Sequence, residues 1–278
     1  MKPRLLLNLA LLAAIALLAM FAYFGRWQDA AAAHAVSELD PASVVSLRVE
    51  RPGQPTLALE KRGGAWRMTS PLAARAEPIQ VQRLLGFLTA TSRQRLPARD
   101  LERFDLARPV ASLVANGETF RFGAVNPVTG EQYVQAGDWV YLPDRRRTAD
   151  VLAPANRLLS PHLLGEDEAP LAFEFADLSL RRNDGKWVMA PPPAVQMSQD
   201  DLNRWVQEWR LALAQQVAPA APGSKPLAAV RIALAGGRTL EVEVLAREPE
   251  TVLLRPDEKL EYRFPQAVGE RLLNPPRE

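Results

Sequence analysis

Apolar positions along this chain follow three patterns. The stretch from Leu5 to Phe24 is an unbroken apolar run without a charge. At about 1.5 Å per residue it is long enough to cross a bilayer's hydrocarbon core of roughly 30 Å. Behind it, short alternating stretches predict β-strands, and two longer stretches with apolar residues three and four apart predict helices. Residues 44–50 (VVSLRVE) alternate, and Pro52-Gly53-Gln54-Pro55 marks a turn. Residues 57–61 and 66–69 then predict a hairpin around Arg62-Gly63-Gly64.

That hairpin occurs twice. LALEKRGGAWRMTSP (57–71) aligns without a gap on LSLRRNDGKWVMAPP (178–192), pairing Leu59 with Leu180, Trp66 with Trp187, Met68 with Met189 and Pro71 with Pro192. An amphipathic helix follows each copy. Val81, Leu84, Leu85 and Leu88 carry the first; Leu202, Trp205, Val206, Trp209 and Leu213 carry the second. Ser198-Gln199-Asp200-Asp201 resembles a capping box at the second helix's start. Trp205 and Trp209, four residues apart on that stripe, read as core rather than as a carbohydrate platform.

Further hairpins follow, around Asn116-Gly117 and Gly236-Gly237, each with another strand pair behind it. The polar stretch 91–109 contains Arg93, Arg95, Arg99, Arg103 and Arg108, and the Pro/Ala-rich stretch 217–226 reads as a loop. The expected fold is α+β: two tandem copies of an antiparallel-sheet-plus-helix module behind one N-terminal transmembrane helix. The expected boundaries are 1–35 for the anchor and connector, 36–162 for the first repeat and 163–278 for the second.

Lys2 and Arg4 precede the apolar run, and Phe21, Tyr23, Phe24 and Trp27 cluster at its far end. Basic residues stay on the cytoplasmic side and aromatic rings favour the interface, so the bulk of the chain is expected in the periplasm. An Ala33-His34-Ala35 cleavage site exists but lies well beyond the run, and the run exceeds a signal peptide's usual core, which favours an uncleaved anchor in the inner membrane.

Composition narrows the chemistry. The net charge of +2 gives no general attraction to nucleic acid. The charge is uneven: residues 36–162 hold 17 Lys/Arg against 13 Asp/Glu, and residues 163–278 hold 14 against 18. There is no cysteine, which excludes disulfides, zinc–thiolate sites and thiol nucleophiles. His34 and His162 have no metal-ligand spacing, and neither a nucleophile elbow nor a phosphate-binding loop is present. No catalytic residue, cofactor or metal site is expected. Glu166-Asp167-Glu168 and Asp200-Asp201 splay in different directions and read as a solvated link and a helix start rather than a calcium loop. Arg145-Arg146-Arg147, after Asp144, opposes a helix macrodipole and is the best candidate for contact with phosphate headgroups or an acidic partner.

The order of elements is similar to a known family. An anchor leads into strands and a Gly64-Ala65-Trp66 hairpin ending at Pro71. An amphipathic helix follows, then Phe104-Asp105-Leu106-Ala107-Arg108-Pro109. Last come Phe122-Gly123, Gly130, Tyr133-Val134 and Val140-Tyr141-Leu142. This resembles the bacterial domain of unknown function 4340, with Asp105 standing where that family often has glycine. The resemblance implies an envelope protein encoded beside ABC-type permease and gliding-type auxiliary genes. It implies a non-catalytic periplasmic accessory subunit with a permease or auxiliary subunit as partner, and it carries over no catalytic residue. The alternative expectation is a periplasmic protein that binds lipid, glycan or peptide in the cleft between the repeats.

Overall fold

The computed structural model describes residues 13–17, 19–20, 33–193 and 197–275. Most of the run from Leu5 to Phe24 lies outside the described residues, as does the aromatic cluster at its end. Residues 13–17 and 19–20 are helical. Among the described residues, no helix is long and apolar enough to cross a membrane.

The chain begins with β1 (His34–Ala35), β2 (Ser46–Glu50), β3 (Leu57–Arg62), β4 (Ala65–Ser70), β5 (Ala74–Arg75) and helix α1 (Pro78–Leu85). It continues through β6 (Thr91–Ser92), β7 (Arg95–Pro97), β8 (Ala111–Ala115), β9 (Glu118–Val125), β10 (Gln132–Ala136), β11 (Trp139–Tyr141) and α2 (Arg145–Thr148). Next come β12 (Pro170–Glu174), β13 (Ser179–Asn183), β14 (Lys186–Ala190) and α3 (Gln199–Arg210). The last elements are β15 (Gln216–Pro219), β16 (Ala228–Leu234), β17 (Thr239–Ala246), β18 (Glu250–Arg255), β19 (Leu260–Pro265) and α4 (Gln266–Leu273). The strand pairs are antiparallel and the helices few, so the chain is a β-rich α+β protein.

Two compact units form. One holds residues 33–54 and 83–152; the other holds 55–82 and 153–275. This division by compactness does not fall at residue 162, the join between repeats read from the sequence: residues 55–82, early in the first repeat, group with the later unit.

In the first unit the strands run in the order β2-β8-β9-β10-β11-β7, with β1 and β6 as a separate short pair. Phe87 packs its ring against Phe120 and Phe122 at 5.2 and 5.0 Å between centroids. Gly123 is the one position in β9 where a side chain does not fit: a Cβ there would lie 2.0 Å from the carbonyl oxygen of Phe104. The turn that presses on it is closed by Asp105, whose φ of 55° is the left-handed conformation that glycine adopts freely and Asp tolerates. Asp105 therefore takes up the left-handed conformation that this turn requires.

In the second unit β5, β4 and β3 form a small meander, and the other strands run in the order β14-β13-β12-β16-β17-β18-β19-β15. Both tryptophan hairpins lie here with matching register. Leu59 faces Met68 and Lys61 faces Trp66; Leu180 faces Met189 and Arg182 faces Trp187. Their two-residue loops, Gly63-Gly64 and Asp184-Gly185, have positive φ at both positions, which matches the twist of the flanking strands. A bulge in the first hairpin puts Ser70 opposite Ala58, while Ala190 faces Ser179. The gapless alignment therefore slips by one after Met68, and the proline following each hairpin is Pro71 or Pro191, not Pro192.

The polar stretch 91–109 contains an edge strand, and the stretch expected to be a loop at 217–226 begins within another. β7 pairs with β11, and β15 pairs with β19. Their prolines, Pro97 and Pro219, are tolerated because an edge strand is bonded on one side only.

α3 covers one face of the second unit's sheet. Ser198 caps it by accepting the Asp201 N–H at 3.1 Å. Trp205 and Trp209 pack around Phe173 at 4.8 and 5.3 Å. Their indole N–H groups donate to the carbonyls of Arg271 and Leu272 near the end of α4. Both tryptophans are core, as their spacing predicted.

Candidate functional site

The most concentrated chemistry among the described residues is a group of charged side chains inside the second unit. The segment after Leu158 runs between two neighbours. On one side Glu77 N–H donates to Leu158 O at 2.8 Å and Ser160 N–H to Arg75 O at 3.0 Å. On the other, Leu163 N–H donates to Ala212 O at 3.1 Å and Ala214 N–H to Pro161 O at 2.9 Å. The carbonyls left over point at two arginines.

Arg75, from β5, donates to the carbonyls of His162 and Leu163 at 2.8 and 3.2 Å and to Tyr262 Oη at 3.1 Å. Its Nε meets Glu258 Oε1 at 2.6 Å, and Tyr262 donates to Glu258 Oε2 at 2.6 Å. Arg255, at the end of β18, grips both oxygens of Glu168, at 2.7 and 2.9 Å, and both of Asp257, at 2.7 and 3.2 Å. Its Nη1 also donates to Leu163 O at 2.8 Å. The side chains of Arg255 and Glu168 are only 2% and 5% exposed, so each charge depends on the other for the solvation that water would supply.

The proton affinities follow from that geometry. Burial alone would raise the Glu168 carboxyl, but Arg255 and the Gly165 N–H overcome it and hold the group below its ordinary value. Burial works against the Arg255 charge too, and its bonds to Asp257 and Glu168 overcome it, raising that guanidinium above its ordinary value. Burial, then the negative charge of Glu258, pushes the Tyr262 phenol up. Glu168 and Arg255 are therefore held charged, and Tyr262 protonated, near neutral pH.

This corrects the sequence reading of the acidic stretch. Glu166 and Asp167 are exposed as expected, but Glu168 is buried and paired. No periodic signal marked it, because its partner lies 87 residues away. His162 contributes its carbonyl to Arg75. Among the described residues, no three carboxylate or imidazole groups are gathered where they could hold a metal ion.

Arg145, Arg146 and Arg147 occupy α2 in the first unit and are exposed. Asp144 caps the turn by accepting the Arg146 N–H at 2.8 Å. Thr148 anchors it from beneath, donating to the buried Gln132 Oε1 at 2.6 Å. The edge strand β7 and the bend before it bring Arg95 and Arg93 alongside the residues that lead into this turn. Arg95 lies opposite Tyr141, and its guanidinium sits 4.4 Å from the Trp139 ring centre. Arg93, exposed, adjoins Ser92, whose hydroxyl accepts the Leu142 N–H at 2.9 Å. Both arginines belong to the arginine-bearing polar stretch 91–109, in which no strand was read from the sequence.

No curated protein and no solved structure matches the chain. Residues 66–186 match a family model, and the matched stretch runs from Trp66 to the residue before Trp187, one full period of the hairpin repeat. Over that stretch, which is less than half of the chain, it is similar to the family described as Domain of unknown function (DUF4340).

Proposed function

We propose that this chain is a non-catalytic, single-pass accessory subunit of an envelope ABC-type transport assembly. The run from Leu5 to Phe24 anchors it in the inner membrane, and two copies of one α+β module, 36–162 and 163–278, stand in the periplasm. It acts by protein contact. The duplication is supported by parallel strand orders: β2-β8-β9-β10-β11-β7 in one copy and β12-β16-β17-β18-β19-β15 in the other.

The observation that carries the contact reading is how the buried charges are used. Arg75, Glu168, Arg255, Glu258 and Tyr262 bond to one another and to backbone carbonyls, so they fix elements in place rather than face a substrate. The exposed arginines, Arg145–Arg147 with Arg93 and Arg95, then supply a surface suited to an acidic patch on a partner.

Purification from the native membrane in mild detergent tests the reading. The expected result is that transport subunits are retained with the intact chain and released when Arg145, Arg146 and Arg147 are changed to glutamate. Recovery of the chain alone, with the transport subunits still assembled without it, would sink the proposal.

A further inference from the structure

The helix-bearing face of the second unit's sheet is not fully covered. Phe173, in β12, lies under Trp205 and Trp209, and Leu171 lies at a bulge of the same strand between Pro170 and Ala172. Leu171 is 41% exposed. The cross-strand pairs place Leu180 opposite Phe173, and put Arg182, two residues on, opposite Trp187, all on that same face. Where α3 leaves this face open there is a groove of about 420 Å³, within the range of small-ligand sites.

Its lining has a consistent character. Leu171 contributes most of the apolar surface, and the buried Val206 and Trp187 contribute only their edges. Asn203, Gln207 and Arg210, at positions i, i+4 and i+7 of α3, line one flank as a stripe of hydrogen-bond donors. Arg182 also lines the groove. Neither arginine has an acidic partner among the described residues, whereas the neighbouring Arg181 is paired with Glu174. No carboxylate lines the groove.

We infer that this groove binds a single-chain anionic amphiphile. Its apolar body lies on Leu171, Val206 and Trp187, and its carboxylate or phosphate head is held by Arg182 and Arg210 with the carboxamides of Asn203 and Gln207. A neutral ligand of the same shape forgoes the charge-assisted hydrogen bonds of the two exposed guanidiniums, and an acidic groove would repel the head. The inference is independent of the contact reading above, since it uses none of Arg93, Arg95 or Arg145–Arg147.

The test uses the full chain in phosphatidylcholine nanodiscs and a diazirine-bearing dodecanoate as photoprobe. Cross-links should map to residues 169–187 and 203–210, with labelling elsewhere as internal reference. Changing Arg182 and Arg210 together to glutamine should lower labelling there by about tenfold or more, as expected for lost charge-assisted hydrogen bonds, without altering the melting temperature. Competition by dodecanoate alone assigns a carboxylate head; competition by dodecyl phosphate as well assigns any compact anionic head. Undiminished labelling in the double variant, equal competition by dodecanol, or cross-links confined to other segments would each overturn the inference.

Discussion

Glu168 illustrates how a residue's role is set by a partner far along the chain. Within the sequence it ends a run of three acids, and a run of acids reads as solvated. In the fold Arg255 takes both its oxygens, and the pair is withdrawn from water. Glu168→Gln removes the charge while keeping the shape, leaving Arg255 with Asp257 as its main counter-charge. Breaking one side of a buried pair costs about 3 kcal/mol, so the variant should unfold at clearly lower denaturant concentration than the parent. The pH dependence has a definite sign. A carboxyl held below its ordinary value, 4.5 for a free glutamate, stabilises the fold above that value. That contribution is lost as pH falls from there through the folded-state value. Denaturation midpoints of parent and Glu168→Gln should therefore converge as the solution is acidified below about pH 4. Gly123 makes a separate case. Its need for a bare backbone comes from the Phe104 carbonyl pressed on it, and Gly123→Ala should cost about 1–3 kcal/mol in the same assay.

At the scale of elements, periodicity predicted what it could. The tryptophan hairpins, the Asn116-Gly117 hairpin, the Ser198 cap and the α3 stripe were legible because each rests on neighbours within a few residues. β7 and β15 were not, because three or four residues containing proline carry no alternation. Only pairing with β11 and β19 makes them strands. A similar tertiary device protects β14. Gln199 accepts the Trp187 N–H and donates to the Trp187 C=O, both at 2.8 Å, so one carboxamide stands in for a neighbouring strand. Gln199→Leu removes both bonds. Trp187 should then exchange its amide hydrogen faster, and the unit should lose about 1–3 kcal/mol; unchanged exchange would mean that the cap contributes nothing.

At the scale of the whole molecule, the recurrence of the tryptophan hairpin was legible because two stretches with one apolar pattern can be compared. The division into compact units was not, because it depends on how residues 55–82 and 153–275 pack, which no local pattern records. The same limit applies to the candidate sites. Arg145–Arg147 stood out as a run, whereas Arg93 and Arg95 joined them only through an edge strand, and the groove beside α3 only through a sheet face left open. The proposed topology has its own check: a reporter fused after Glu278 should be active only when exported, and activity in the cytoplasm would reverse the orientation. The claim that this chain works by contact is tested most directly by a photo-crosslinking amino acid placed at Arg146 in the full chain in its native membrane. A cross-link to a transport subunit, absent when the same group replaces the exposed Val128, is the predicted result. Adducts that are the same from both positions, or none from Arg146, would contradict it.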